Sequence, residues 1–387
     1  MRTQAQVEYS VLDSQKLVFW ILIDRLSGNR RRSKSRRLIV AARSQMREVA
    51  SKPERCIAKC RALPSGSPVF RTNPAPGSAP ASPSPPHDQS EFFRQSLSGP
   101  ISSVSTPFDR DGAIDEGALR AGVEFAVTEA KSGTILLTYG DSLLSVLTDR
   151  EVAEVTRIVV EQTAGRKMVV AAGCWWTGEA VRFAEYCRSL GADLFMPLPP
   201  NWAGSCTEQT LVDHFERISR VMPVMLVTAI GPGVSVPLGA IRTLLQRDTG
   251  IVAIKDDICG AYGRRLASLN AGRWAFLSGG RKENHLDQLP YGADAYLSLY
   301  MRFKPAVAHR YWAAIKANDI PAAVAVINQY DIPFMDFCAA HGVHFDAVVH
   351  GAMELAGLAR RWRRRPYSSL DDAQMEKLRA FFAGVGL

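Results

Sequence analysis

Lys255 is the residue whose surroundings most invite chemistry. It follows the apolar run Ile251-Val252-Ala253-Ile254 and precedes two acids, Asp256 and Asp257. A lysine at the end of a buried strand is poorly hydrated, which disfavours its charged form. The neutral amine can add to a ketone, lose water and form an imine, an electron sink for breaking a neighbouring bond. The bland alternative is a lysine that caps its strand or pairs with Asp256 or Asp257.

Which reading holds depends on the elements that carry the lysine. From Gly99 onward, short β-rich apolar runs alternate with helical patterns, the signature of parallel βα units. Eight strands are predicted near 101–105, 133–137, 168–173, 192–196, 224–227, 252–255, 274–278 and 293–297. The intervening helices carry start signals. Thr148-Asp149-Arg150-Glu151 reads as a capping box ahead of Val152, Val155, Ile158 and Val159. Thr177 and Thr207 precede two further apolar faces, and Gly191 stops the first of these helices. Eight units predict a closed (β/α)₈ TIM barrel over 99–302. An open doubly wound sheet is the alternative, and it lacks a glycine-rich phosphate loop after the first strand. Residues 303–387 read as a C-terminal helical appendage with helices at 303–317, 320–340, 343–357 and 371–383.

A barrel of this kind presents its functional groups where the strands end. Those ends are Ser105-Thr106-Pro107-Phe108, Thr138-Tyr139-Gly140-Asp141-Ser142, Gly173-Cys174-Trp175, Pro197-Leu198-Pro199-Pro200, Val227-Thr228, Lys255-Asp256-Asp257 and Ser278-Gly279-Gly280.

With these residues in place, the chain from Gly99 to Leu387 resembles the dihydrodipicolinate synthase / N-acetylneuraminate lyase family of Schiff-base aldolases and lyases. The resemblance rests on Pro100 to Phe108 with Asp115, on Val252-Ala253-Ile254-Lys255-Asp256, on Phe276-Leu277-Ser278-Gly279, and on the tail from Met353 through Arg365-Pro366 to Leu378-Arg379. It implies a lyase or aldolase acting on a 2-oxo acid, such as pyruvate or a sugar-acid-like substrate, through an imine on Lys255. Aldol cleavage, condensation and dehydration all remain open. On this reading Thr138, with Gly140, Asp141, Ser142 and the backbone amides of 139–142, holds the substrate carboxylate. Tyr139 or Thr228 moves protons, and Ser278 and Gly279 line the pocket. The lysine is itself the electron sink, so neither a metal nor an organic cofactor is expected. The family also implies a homo-oligomer, a dimer or a tetramer.

The departures from the family pattern are specific. The carboxylate loop Gly-Thr-Thr-Gly-Glu reads Leu137-Thr138-Tyr139-Gly140-Asp141 here. The strand-five tyrosine falls on Val227, the arginine for a second carboxylate falls near Pro232, and the strand-four tyrosine pair becomes Leu198-Pro199. These argue against the lysine-biosynthetic synthase. They also support the rival reading, a catalytically impaired barrel that binds a small oxo acid or serves as a scaffold.

Composition narrows the remaining classes. The chain has 387 residues and a formal charge of +9, but residues 1–98 carry 17 Lys+Arg against 7 Asp+Glu, and the remainder is close to neutral. Nothing in the globular part seeks nucleic acid or membrane. The basic run Arg30 to Arg37 and the Pro/Ser-rich stretch from Pro74 to Pro86 make 1–98 a largely disordered extension: a targeting segment, a polyanion-binding arm, or functionally silent. The apolar run at 17–23 is too short for a bilayer, which needs about 20 residues. Seven irregularly spaced cysteines fit a reduced, cytoplasmic protein. His341, His344 and His350 read as surface or partly buried helix residues, Trp175 and Trp176 as packing or a pocket roof, and the arginines between Arg360 and Arg365 as a solvated helix end.

Overall fold

The structure is a computed structural model that describes residues 86–200, 203–231, 233–247 and 249–387. The basic run at 30–37, the apolar run at 17–23, Cys56, Cys60, Pro232 and nearly all of the Pro/Ser-rich stretch lie outside these residues.

Eight parallel strands close into a barrel in chain order. They are β1 (Gly99–Ser103), β2 (Thr134–Leu136), β3 (Met168–Cys174), β4 (Leu194–Leu198), β5 (Val224–Val227), β6 (Ile251–Asp256), β7 (Ala275–Ser278) and β8 (Ala295–Leu297), and β8 pairs back onto β1. The predicted TIM barrel is therefore the observed fold. Every residue of β6 is buried, including the two charged ones at its end. Such continuous burial is expected of a parallel strand covered on both faces.

The barrel's outer ring is α2 (Glu116–Thr128), α3 (Asp149–Thr163), α4 (Thr177–Leu190), α5 (Glu208–Ser219), α6 (Leu238–Gln246), α7 (Gly260–Asn270) and α8 (Lys282–Gln288). The predicted capping box at Thr148 and Glu151 forms, and Thr207 caps α5 reciprocally with Thr210. Gly191 ends α4 at a φ of 87°, in the left-handed region that glycine enters without a steric cost. Thr177 differs from its expected role. Trp176 occupies the cap position, and the Thr177 hydroxyl instead lies 3.0 Å from His214 Nδ1 on α5.

A helix precedes the point where the sequence reading placed the start of the barrel. Helix α1 (Pro86–Ser96) lies across the beginnings of the strands. Arg94 bridges to Asp294 Oδ1 at 3.0 Å just before β8, and the Ser96 carbonyl accepts from Thr134 Oγ1 at 3.1 Å. Phe93 and Leu97 are buried there. Each such side chain contributes about 1.5–3 kcal/mol when removed from water. That is enough to recruit a segment whose neighbours read as linker.

After β8 the chain forms α9 (Pro305–Lys316), α10 (Ile320–Val326), α11 (Ile332–Ala340), α12 (Phe345–Leu355) and α13 (Asp372–Gly384), which pack around their own apolar cluster. The single helix expected over 320–340 is interrupted by a π turn at Ile327–Asp331. The turn brings Asp331 to the buried Lys282 Nζ of α8 at 2.8 Å. The arginine-rich segment is not a solvated end. Arg363 is buried against Asp346 at 2.7 Å, and Arg364 reaches back to Glu151 of α3 at 2.8 Å. This ion pair holds the Glu151 carboxyl down at about 2. His350 is fully buried on α12, although His341 and His344 are not.

Candidate active site

Side chains alternate along a strand, so residues two apart share a face. Pairing sets Val227 of β5 beside Lys255 of β6, Lys255 beside Leu277 of β7, and Asp256 beside Ser278. Lys255 points into the barrel mouth and so does Asp257, two residues on. Asp256 points outward between strands and helices. The same parity turns Val227 and Gly279 inward and Thr228 and Ser278 outward.

The inward set surrounds a cavity of about 270 Å³ at the C-terminal mouth, lined by Thr138, Tyr139, Gly140 and Asp141 on one side and by Lys255, Asp257 and Gly279 on another. Met196, Leu198, Val227, Ala229 and Leu297 supply the rest of its wall. Lys255 is 4% exposed, and its ammonium lies against both carboxylate oxygens of Asp257. The pairing alternative raised for this lysine is thus realised, with Asp257 and not Asp256. The pair sits within the cavity and is not a strand cap facing solvent. Gly279 leaves room for it. A Cβ at that position would overlap the Asp257 carboxylate and come within 2.9 Å of Lys255 Nζ.

The outward set is a separate buried network. Asp256 accepts from Thr228 Oγ1 at 2.8 Å, from the Ile258 and Cys259 amides at 3.1 Å each, and from Gln288 Nε2 at 2.6 Å. Burial raises its carboxyl above the ordinary aspartate value, and these donors oppose that shift. Thr228 Oγ1 also accepts the Asp257 amide at 2.9 Å. Thr228 therefore lines no part of the cavity, and its hydroxyl is already engaged. The structure does not place it where a proton could pass to Lys255. Ser278 is likewise buried away from the cavity, and its hydroxyl finds no partner among the described residues.

The loop after β2 is organised by its own hydrogen bonds. The Asp141 amide donates to Thr138 Oγ1 at 2.9 Å and the Ser142 amide to the Thr138 carbonyl at 3.3 Å. Ser142 Oγ accepts from the Thr138 amide at 3.0 Å and donates to the Val104 carbonyl at 2.5 Å. Ser142 thus holds the loop from behind and does not face the cavity. Two of the four amides expected to bind a carboxylate are spent on the loop itself. Asp141 is positioned by Arg302, whose Nη2 lies 3.6 Å from its Oδ1 and whose Nη1 donates to Ser105 Oγ at 3.0 Å.

Tyr139 also borders a second cavity of about 320 Å³ together with Trp175 and Cys174, so its ring stands between the two. Trp175 packs on Phe183 with ring centres 4.5 Å apart and donates to Asp149 Oδ1 at 2.8 Å; Trp176 is 60% exposed. Neither roofs the cavity at Lys255.

The sequence reading missed Arg302 and the special standing of Asp257. Strand parity could have found Asp257. Nothing local marks Arg302, which reaches Asp141 from the short turn Leu299–Arg302 that follows β8. Among the described residues there is no cluster of three metal-ligating side chains and no helix long and apolar enough to cross a membrane.

Comparison with known proteins places this geometry in context. Residues 96–383 match the model of the dihydrodipicolinate synthetase family. A probable 5-dehydro-4-deoxyglucarate dehydratase from Ralstonia nicotianae is 24% identical over 300 residues, covering 76% of this chain and 96% of that protein. A 4-hydroxy-tetrahydrodipicolinate synthase from Acidiphilium cryptum is 27% identical over 293 residues, covering 75% and 98%. Among solved structures, N-acetylneuraminate lyase from Fusobacterium nucleatum shares the fold with a TM-score of 0.66 at 17% identity, over 75% of this chain and 99% of that one. The chain belongs to the dihydrodipicolinate synthetase family.

Proposed function

We propose that this family member is a lyase that joins Lys255 Nζ to the keto carbon of a 2-oxo acid as an imine, then cleaves or dehydrates the bound substrate. The observation that carries the reading is a buried lysine on the wall of a substrate-sized cavity at the barrel mouth. The substrate carboxylate lies toward Thr138, Tyr139 and Gly140. The rest of the substrate extends past Met196, Leu198 and Val227, where an aliphatic wall replaces the family's hydroxyls.

Among the described residues of that wall, a second carboxylate has no fixed cation to meet. The lysine-biosynthetic condensation is therefore disfavoured relative to cleavage or to dehydration, and the Ralstonia relative is named as a probable dehydratase. Hydroxyls of a sugar-acid-like substrate would meet Tyr139, Asp141 and Asp257. Once the imine has formed, Tyr139 carries the phenol available for moving a proton at the substrate carbon.

The family implies assembly as a homo-oligomer. The five described cysteines are all free, which fits a reducing compartment such as the cytoplasm.

Borohydride reduction after incubation with pyruvate and with 2-oxo sugar acids tests the reading. An adduct on the Lys255 peptide, absent from Lys255→Ala, is the expected result. A folded protein that yields no adduct with any of them would leave the non-catalytic binding barrel, whose support is the close Lys255–Asp257 ion pair.

A further inference from the structure

We infer that Asp257 is a catalytic residue, the proton carrier for imine formation at Lys255. The inference rests on the lyase reading above and names the group that performs its first step.

The chemistry requires such a group. An ammonium and a ketone combine to give a protonated imine and one water. The nitrogen begins with three protons and ends with one, so two must travel to the departing oxygen. The carbon–oxygen double bond becomes the carbon–nitrogen double bond, with no change in net charge. A base beside the nitrogen and an acid beside the oxygen are both needed, and one carboxylate can serve as each in turn. Asp257 takes the first proton from Lys255 and frees the nitrogen lone pair to attack the keto carbon. It then passes that proton to the oxygen to give the carbinolamine, whose nitrogen still carries two protons and the positive charge. It takes the second nitrogen proton in the same way and delivers it to the hydroxyl, which leaves as water.

Position selects Asp257 over the other acids and hydroxyls. Both of its oxygens contact Lys255 Nζ, and its side chain is 28% exposed where it borders the cavity. Asp256 next to it is fully buried, faces away and is saturated by four donors. On strand five, Val227 presents no hydroxyl, and Thr228 is engaged with Asp256. Asp257 is itself held in place, because its amide donates to Thr228 Oγ1 at 2.9 Å. Thr228 is therefore a positioning residue, acting through Asp256 and Asp257. A carboxylate with a merely structural role has no need to face a cavity, nor of a glycine opposite that reserves its space.

The test is the single-turnover rate of imine formation. The full-length chain is mixed with pyruvate, quenched with borohydride at set times, and the Lys255 adduct is counted by mass spectrometry. Asp257→Asn is expected to slow the rate by about 10²-fold or more, the usual worth of a positioned acid or base. The pyruvate concentration giving half-maximal rate should stay within about threefold of wild type, because the substrate carboxylate is held elsewhere. Asp257→Ala, which leaves a carboxylate-sized space, should be accelerated by added formate, whereas Lys255→Ala should not respond. Rescue also separates lost chemistry from lost fold, since formate cannot refold a collapsed site. Wild-type rates in Asp257→Asn, or no response of Asp257→Ala to formate, would overturn the inference. If wild type itself never traps an adduct, the lyase reading fails first. If wild type traps it and Asp257→Asn does so equally fast, only the role of Asp257 fails.

Discussion

Replacing Gly279 by alanine isolates the Lys255–Asp257 pair without touching either partner. Gly279 does not occupy a positive-φ conformation, so alanine meets no backbone penalty there. The cost is steric and local. The new methyl overlaps the Asp257 carboxylate and lies 2.9 Å from Lys255 Nζ, where ordinary contacts begin at 3.4 Å. To clear it, the carboxylate must retreat by roughly 1 Å or more, far enough to break its contact with the amine. Overpacking of this kind costs about 1–3 kcal/mol of stability when nothing yields. The exposed edge of Asp257 can yield, so the lower end is expected. Loss of the positioned acid–base group removes about 10²–10⁴-fold in rate, which is roughly 2.7–5.4 kcal/mol of barrier. Gly279→Ala should therefore melt within a few degrees of wild type and trap pyruvate at least about 10²-fold more slowly. A variant that folds normally and forms the imine at the wild-type rate would refute the reasoning, because it would show that the observed pair is not used.

Thr228→Val removes a donor to buried Asp256 and the acceptor of the Asp257 amide. It should cost about 1–3 kcal/mol in urea denaturation and slow imine trapping, while Thr228→Ser retains both. His214, His285 and His350 are pulled by burial to about 4, 4 and 3, so the folded state keeps them neutral where the unfolded chain protonates them. Their depressed values make stability complete above about pH 6.5 and lose it as pH falls toward 4 and 3, with a slope of roughly 3–4 kcal/mol per pH unit near pH 5; urea midpoints that do not move between pH 7 and 5 would contradict this. Lys282→Met strands Asp331, both partners of that ion pair being buried. It should destabilise by about 3–5 kcal/mol, with much of the loss recovered in Lys282→Met/Asp331→Leu, as read from urea curves. Tyr139→Phe should still trap pyruvate at close to the wild-type rate but turn over a cleavable 2-oxo acid at least about tenfold more slowly; unchanged turnover would make the ring a filler between the two cavities.

Strand-length apolar runs, capping threonines and Gly191 fix local structure through short-range physics, so the eight βα units and the placement of Lys255 at a strand end were legible along the chain. Strand parity was equally available, since counting by twos from Lys255 assigns Asp257 inward and Asp256 outward. The same count on strand five turns Thr228 away from the cavity, against the role first given to it. Other features were decided only in three dimensions. Ser142 became a brace because Val104, 38 residues away, offers its carbonyl across a neighbouring strand. Arg302 reaches Asp141 from the turn after β8 because closure of the barrel sets that turn beside the β2 loop, while His350 is sealed in and Arg364 ties Glu151 because helices packed after the barrel bring distant residues together. Helix α1 joined the fold because Phe93 and Leu97 found apolar cover beneath the strands. Periodicity and capping act within a few residues and can be read from the sequence alone. Burial and ion pairing depend on which surfaces meet, and that is settled when the barrel closes and the C-terminal helices dock.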